Sequence, residues 1–230
     1  MRRFEVTSLP EEVGQTVALD PRASHHLLRV CRHPRGAPLW VFDGRGRQAK
    51  ARLAEVRDDD TAVIEITEPP VHAAPDRPTW VILAVLKGSA MERALRMGTE
   101  AGATHFVPVI SERTVARGDR HGRWERVLAS AAQQCGRADL PRLSAVTDLH
   151  GAIATLPEPL ARFVASPSAD DVHRAAVAAD AGAVVAIGPE GGWTAREVEQ
   201  LVEQGFTPLG LGSWVLRADT AVAVAVATLA

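Results

Sequence analysis

Two glycine-bearing loops carry the residues best placed to do chemistry. The first, GPEGGW at 188–193, sets one carboxylate, Glu190, in a turn built from a proline and three glycines. Upstream, GAVVAIG has the continuous apolar pattern of a buried strand. Downstream, TAREVEQLVEQGF is a well-marked helix: Thr194 and Glu197 are spaced as a capping box, Gly205 is a stop, and Trp193 and Val198 occupy staple positions. The turn therefore falls at the carboxyl end of a strand, where open α/β sheets bind ligands. It matches neither of the glycine-rich phosphate motifs, and a carboxylate within it would repel a pyrophosphate. A nucleotide lacking phosphates, or one carrying positive charge, fits better. The plainer alternative is a tight turn whose glutamate caps a neighbouring amide. The second loop, within LGLGSWVLRADTA at 209–221, places Arg217 and Asp219 just before an apolar terminal run. Two such loops side by side could clasp one ligand. Alternatively, Asp219 is a helix N-cap or first-turn acid favoured by the dipole, with Arg217 as its partner.

The elements that must position these loops follow from periodicity. From Thr79 onward, apolar strands (TWVILAVL, THFVPVI, ARFVAS, GAVVAIG) alternate with helical stretches (AMERALRMGTEAG, RWERVLASAAQQCG, DDVHRAAVAAD, AREVEQLVEQG), the pattern of an α/β domain with a mostly parallel sheet. The last run, DTAVAVAVATLA, is apolar nearly all round and must be buried within the fold or against a second subunit. Residues 1–70 read as short strands (RFEV, TVALD, PLWVFD, RQAKARLAEV, TAVIEIT) with a helix-like ASHHLLRVCR, and DGRG at 43–46 is a hairpin signal. The proline-rich EPPVHAAPDRP reads as a linker, which places a β unit at 1–70, a linker at 71–78 and an α/β domain at 79–230.

Composition narrows the class. A chain of 230 residues, 46% hydrophobic, holds one large domain or two modest ones. No apolar run is long enough to span a membrane, and the arginine-led start MRRFEVTSLPEE has no apolar region behind it, so we expect a cytoplasmic protein with no membrane partner. Cys31 and Cys135 lack ligand or disulfide spacing, and no metal is expected. Net charge is −2, but it is unevenly spread. Between Arg22 and Arg52 eight basic residues face one acid, Asp43, for about +7; a second region, Arg113 to Arg142, holds seven arginines. The planar guanidinium fork suits phosphate, with a solvated charged face as the alternative. The excess of 24 arginines over two lysines weakens any argument from arginine identity.

The ordered set RRF (2–4), HHLLRVCR (25–32) with WVFDGRG (40–46), LKGSAMERALRMGTEAGATHFVPVISERT (86–114), QQCGR (133–137) with Pro141, GPEGG (188–192) and LGSWVLRADTA (211–221) resembles the ribosomal RNA small subunit methyltransferase E family across essentially the whole chain. The resemblance implies an enzyme that methylates N3 of a uridine in 16S rRNA with S-adenosylmethionine. It implies a C-terminal α/β domain carrying the trefoil knot of SPOUT methyltransferases, an N-terminal PUA-like β-barrel for RNA, and a homodimer acting on the small ribosomal subunit. A methyltransferase of this fold acting on another RNA, or a noncatalytic RNA-binding assembly factor, is the alternative.

Carried over, the cofactor-binding positions are Ile187, Gly188, Pro189, Glu190, Gly191, Gly192, Leu211, Gly212, Val215, Leu216 and Arg217. The catalytic candidates are Arg217, for the uracil carbonyls, and Asp219 or Glu190 as base, with pure alignment and no dedicated base as a competitor. Arg29, Arg32, Arg45, Lys87, Arg113 and Arg137 are the substrate-binding candidates, against simple ion pairing; Gln133 and Gln134 share a helix near them. Two departures stand out. The family's LR-x-ETA is Leu216-Arg217-Ala218-Asp219-Thr220-Ala221 here, so the acid is one methylene shorter. Its Lys-Ala-Thr-Glu-Leu-Gly is Met97-Gly98-Thr99-Glu100-Ala101-Gly102 here, which removes a basic group at 97.

Overall fold

The computed structural model describes residues 2–115, 120–167 and 182–230. These residues form two compact units, Met1–Ala74 with Ala132–Leu140, and Pro75–Ala131 with Pro141–Ala230. The helix expected over DDVHRAAVAAD lies outside the described residues.

In the first unit, β1 (Arg3–Glu5), β2 (Thr16–Ala18), β3 (Pro38–Phe42), β4 (Arg47–Val56), β5 (Ala62–Ile66) and β6 (Val71–His72) make one sheet in the order β1-β3-β4-β5-β2, with β6 also on β4. All pairs are antiparallel except β1 with β3. The five expected strands are present, and DGRG joins β3 to β4, its Asp43 side chain accepting from the amides of Arg45 and Arg47 at 2.8 and 3.0 Å. Period-2 alternation turns Leu39, Val41, Leu53, Ile64 and Ile66 inward onto Phe4 and Leu27. The helical stretch is α1 (Pro21–His25), capped by Asp20 and continued as a wide π turn over His26–Val30. Two features differ from the expected boundaries. Val71–His72 of the proline-rich stretch pairs as a strand, and residues 132–140 belong with this unit because the amides of Gly46 and Leu140 exchange bonds with the Ala138 and Gly44 carbonyls across the hairpin tip.

The second unit contains a fully parallel sheet. Its strands are β7 (Thr79–Ala84), β8 (His105–Val109), β9 (Arg142–Leu143), β10 (Leu160–Ala165), β11 (Gly182–Ile187) and β12 (Thr207–Leu209), in the order β12-β10-β11-β7-β8-β9. Continuous apolar runs suit strands covered on both faces. Val81 and Leu83 of β7 with Val185 and Ile187 of β11 face one layer, and Ile82, Ala84, Val184 and Ala186 face the other. The first layer is covered by α2 (Ala90–Ala101), by Trp124 and Leu128 of α3 (His121–Cys135), and by α6 (Ala218–Leu229); the second by α4 (Leu149–Ala154) and α5 (Ala195–Glu203). Strand order reverses between β11 and β7, so the switch-point crevice lies beside the GPEGG turn.

The terminal helix buries one face, with Ala221, Val222, Ala225, Val226 and Leu229, within the fold against α2 and the sheet. That packing depends on Gly98. A methyl group there would lie 2.8 Å from Val222 Cγ1 and 2.9 Å from Phe106 Cζ, tighter than atoms tolerate. Gly98→Ala is therefore expected to destabilise by about 1–2 kcal/mol, because overpacking outweighs the gain of about 1 kcal/mol in helix propensity. Urea unfolding checks this; equal or greater stability would contradict it.

A second prediction comes from the β7–β8 pair. The Trp80 and His105 rings stack at 3.9 Å and 2°, with Thr104 Oγ1 2.9 Å from His105 Nδ1. Burial, and secondarily the charge of Arg142, lower the imidazole pKa from 6.5 to about 4. Between those values the unfolded chain binds more protons than the folded one, so stability rises with pH across the window. The contribution is complete above about pH 6.5 and is lost as pH falls towards 4. The ring is only partly buried, so the expected loss is about 1–2 kcal/mol. His105→Phe, which keeps a stacking ring, should flatten this part of the profile when unfolding is compared at neutral and acidic pH.

Candidate active site

The GPEGG turn leaves β11 and enters α5 through geometry written into its own residues. Gly192 N donates to Pro189 O at 2.8 Å, closing the turn. Thr194 caps α5, and its capping box with Glu197 is complete. Trp193 and Val198 meet in one apolar cluster as a staple. Gly188 is needed for close approach, since a Cβ there would lie 3.0 Å from Trp193 N.

Three contacts from neighbouring loops hold the turn. Glu190 Oε1 accepts from the Lys87 amide at 3.0 Å, tying the end of β7 to the end of β11 across the switch point. Of the two readings of Glu190, amide capping is thus realised. Arg113 Nη1 donates to Gly191 O at 2.8 Å and to Trp193 O at 3.3 Å. Glu197, 5% exposed, accepts from the Glu112 amide at 2.9 Å as well as from Thr194.

The loop between β12 and α6 faces this turn. Together they enclose a cavity of about 570 Å³ whose walls include Ile187, Gly188, Pro189, Glu190, Gly192, Leu211, Gly212, Val215, Leu216, Arg217 and Asp219. Ten of the eleven expected cofactor positions thus share one cavity; Gly191 stands next to the wall on Arg113. All three catalytic candidates line it. The volume lies within the usual range for small-molecule sites, about 300–1,000 Å³, and the walls are mainly apolar.

Asp219 and Arg217 differ in environment. Asp219 is buried in the first turn of α6, and Arg93 Nε of α2 donates to its Oδ2 at 2.7 Å. Burial raises the carboxyl pKa, but the hydrogen bond and charge of Arg93, the Thr220 amide and the charge of Arg217 outweigh it, leaving the group below its ordinary value. A carboxylate held in that state is a poor proton acceptor near neutral pH. Arg217 is three-quarters exposed, its Nε 3.6 Å from Asp219 Oδ1, and its guanidinium makes no hydrogen bond among the described residues.

The other basic candidates divide between the units. Lys87 and Arg113 belong to the second, touching the GPEGG turn as above; the Lys87 side chain is exposed. Arg29, Arg32, Arg45 and Arg137 belong to the first. Arg29 pairs with Asp60 at 2.7 Å, Arg137 forms a nearly buried fork on Asp139, and Arg32 and Arg45 are exposed. Gln133 Nε2 donates to Arg3 O at 2.9 Å. Within the basic stretch 22–52, Arg47, Lys50 and Arg52 are also paired, with Glu11, Glu68 and Glu65, so the local surplus of +7 is much reduced in the fold. Arg117 and Asp119 of the second basic region lie outside the described residues. Phe42 is core and Trp40 half-buried under Arg3 and Lys50. Among the described residues no cluster of three His, Cys, Asp or Glu side chains gathers to hold a metal, and no helix is long and apolar enough to cross a membrane. Sequence reasoning gave no role to Arg93, although it lies within the 86–114 stretch, and missed the Ser166–Pro167 wall of the cavity, which carries no motif of its own.

The cavity between the two glycine loops lies at the switch point of the parallel sheet, and the RNA methyltransferase domain family matches residues 74–230, which places the chain in that class of enzyme. Over 98% of its length the chain is 32% identical to a ribosomal RNA small subunit methyltransferase E from Synechocystis, covering 77% of that protein, and over 96% it is 27% identical to its namesake from Bacillus subtilis, covering 93%. The crystal structure of a ribosomal RNA small subunit methyltransferase E from Neisseria gonorrhoeae bound to S-adenosylmethionine superposes with a TM-score of 0.88 at 31% identity, covering 99% of this chain and 95% of that one. A putative methyltransferase from Legionella pneumophila, in complex with the same cofactor, gives 0.84 at 26% identity, covering 99% and 96%. The chain belongs to the ribosomal RNA small subunit methyltransferase E family.

Proposed function

We propose that this protein transfers a methyl group from S-adenosylmethionine to the RNA of the small ribosomal subunit, at N3 of a uridine in 16S rRNA. The observation that carries the reading is the meeting of the GPEGG turn and the LGSWVLR loop around one cavity with Arg217 at its wall. The residues present fit the cofactor. Apolar walls and the bare backbone at Gly188, Gly192 and Gly212 suit an adenosine, the turn carries a carboxylate where a phosphate would be repelled, and a cationic sulfonium is compatible with that charge. When bound, the cofactor supplies an electrophilic methyl group.

What the chain's own residues do follows from their chemistry. N3 of uridine must lose its imide proton, which passes to solvent water, and the charge left behind spreads onto the flanking carbonyls. The accessible guanidinium of Arg217 is suited to stabilise that charge. Asp219, ionised and engaged by Arg93, orients rather than accepts a proton. Glu190 holds the two strand ends together through the Lys87 amide. Alignment of acceptor and methyl, without a dedicated carboxylate base, is the mechanism these environments favour.

The family resemblance supports three further assignments: a trefoil knot formed by the two glycine loops, a PUA-like RNA-binding barrel for the first unit, and a cytoplasmic homodimer. The mostly antiparallel sheet of the first unit is consistent with the second. Because the buried face of α6 is covered within its own chain, the dimer rests on the resemblance, and a stable 24.6 kDa species in light scattering would overturn it.

The test is methyl transfer from labelled S-adenosylmethionine to small subunits lacking the modification, followed by nuclease digestion and mass spectrometry. 3-Methyluridine at one 16S position is the expected product. Cofactor binding without transfer would redirect the activity to another RNA; absence of both would indicate a noncatalytic RNA-binding factor.

A further inference from the structure

We infer that Arg93, a residue outside the cavity wall, positions Arg217 for the reaction by clamping the carboxylate of Asp219 between the two guanidinium groups. The inference rests on the reading of Arg217 as the group that meets the acceptor base.

Three observations carry it. Both oxygens of Asp219 are fixed by hydrogen bonds, Oδ2 by Arg93 Nε at 2.7 Å and Oδ1 by the Thr220 amide at 3.1 Å, whereas Arg217 Nε stands 3.6 Å from Oδ1, an attraction of charges without a fixed hydrogen bond. Arg93 is itself held. Its Nη1 donates to Ser89 Oγ at 2.7 Å, and Ser89, although it occupies the N-cap position of α2, caps no amide with its side chain. A hydroxyl at that position ordinarily stabilises the helix by bonding an orphan amide; here it secures a guanidinium instead. The chain of contacts also runs in one direction, from a residue absent from the cavity wall, through a side chain only 8% exposed, to one that is 76% exposed and lines the cavity.

The electrostatics fit this arrangement. One carboxylate between two arginines leaves a surplus positive charge, and the short, part-buried Arg93 contact directs the neutralisation towards α2, so the surplus resides on the more exposed Arg217. A long, rotamer-rich side chain has much freedom to lose when it engages a substrate. A fixed anion beside its Nε biases it beforehand, while its terminal amino groups stay available for a planar acceptor. The shortened acid is consistent with the geometry: Asp219, at the cavity wall, reaches Arg93 directly. Arg93 is thus a positioning residue, acting through Asp219 rather than touching substrate.

The experiment measures single-turnover methyl transfer to small subunits at saturating S-adenosylmethionine, cofactor affinity and melting temperature, for Ser89→Ala, Arg93→Lys, Arg217→Ala and the double variant Arg93→Lys/Arg217→Ala. Ser89→Ala and Arg93→Lys keep a positive charge beside Asp219, whereas Arg93→Ala would strip the buried carboxylate of its main cationic partner. We expect cofactor affinity within about twofold of wild type, with transfer slowed about threefold by Ser89→Ala and about tenfold or more by Arg93→Lys. In the Arg217→Ala background, Arg93→Lys should produce no further slowing, because the group it positions is gone. Equal slowing in both backgrounds would overturn the relay alone, as would a rate loss matched by lost cofactor affinity. A wild-type rate for Arg217→Ala would overturn the role of Arg217 and the relay with it.

Discussion

Arg217→Ala is expected to slow methyl transfer by about 10²- to 10³-fold, a loss of about 3–4 kcal/mol of transition-state stabilisation, without unfolding the protein. The magnitude follows from where the charge appears. Neutral uridine offers the guanidinium only ordinary carbonyl acceptors, whereas the N3-deprotonated base carries a full negative charge shared with those carbonyls. An interaction that strengthens along the reaction coordinate lowers the barrier rather than the affinity. The loss should therefore fall mainly in the single-turnover rate at saturating subunit, and much less in subunit binding. Stability should change little, because Arg217 is three-quarters exposed, makes no side-chain capping bond at the start of α6, and only borders Asp219. Arg217→Lys separates charge from shape: it keeps the cation but loses the planar fork, and an intermediate rate is expected. Quench-flow transfer assays with matched melting curves decide the matter. A rate within threefold of wild type would remove Arg217 from the reaction.

Much of the site was legible in the sequence because its geometry is local. Thr194 and Glu197 are three residues apart, and a threonine and a glutamate at that spacing before an apolar period specify a capping box, which is what α5 shows. The turn before it followed from the same positions, since a buried strand and a capped helix leave GPEGGW nowhere else to be. The apolar terminal run required burial, and α2 with the sheet provides it. What could not be read depends on contacts between residues far apart in the chain. The Lys87 amide and Glu190 are separated by 103 positions, and Arg93 and Asp219 by 126; an arginine on an amphipathic helix gives no sign of which acid it will meet. The basic stretch at 22–52 misleads for a related reason. Its charge is compensated by Glu11, Asp60, Glu65 and Glu68, which lie outside it in sequence but beside it in the sheet. Short elements also escaped. β9 and β12 have two and three residues, and α4 has six, too few to establish a period. The 132–140 segment reads as the end of a helix, and its bonds to the 44–46 hairpin tip and to Arg3 go with its place in the first unit.

The cap that made α5 legible also makes Glu197 a costly polar side chain to remove near the cavity. Glu197→Ala is expected to destabilise the protein by about 2–4 kcal/mol and to weaken S-adenosylmethionine binding by about tenfold. The carboxylate is 5% exposed and receives three donors: the Thr194 amide at 2.8 Å, the Thr194 hydroxyl at 3.1 Å and, from the loop after β8, the Glu112 amide at 2.9 Å. Two of those are backbone amides in part-buried bonds, and a buried donor left without a partner costs about 1–3 kcal/mol. The effect reaches the cavity because the Glu112 contact and the Arg113 bonds to Gly191 and Trp193 are the paired fastenings of the GPEGG turn to the β8 loop. With one released, the turn loses part of the preorganisation that presents bare glycine backbone to a nucleoside. Glu197→Gln retains an acceptor oxygen for one side of the arrangement but sets an amide NH₂ against the other, so it should lose about half as much stability. Urea unfolding read by midpoint and slope, with calorimetric cofactor titration at a temperature where every variant is folded, separates the two consequences. A midpoint unchanged in Glu197→Ala would mean that water replaces the carboxylate freely, and that the turn is held by Arg113 and Glu190 alone.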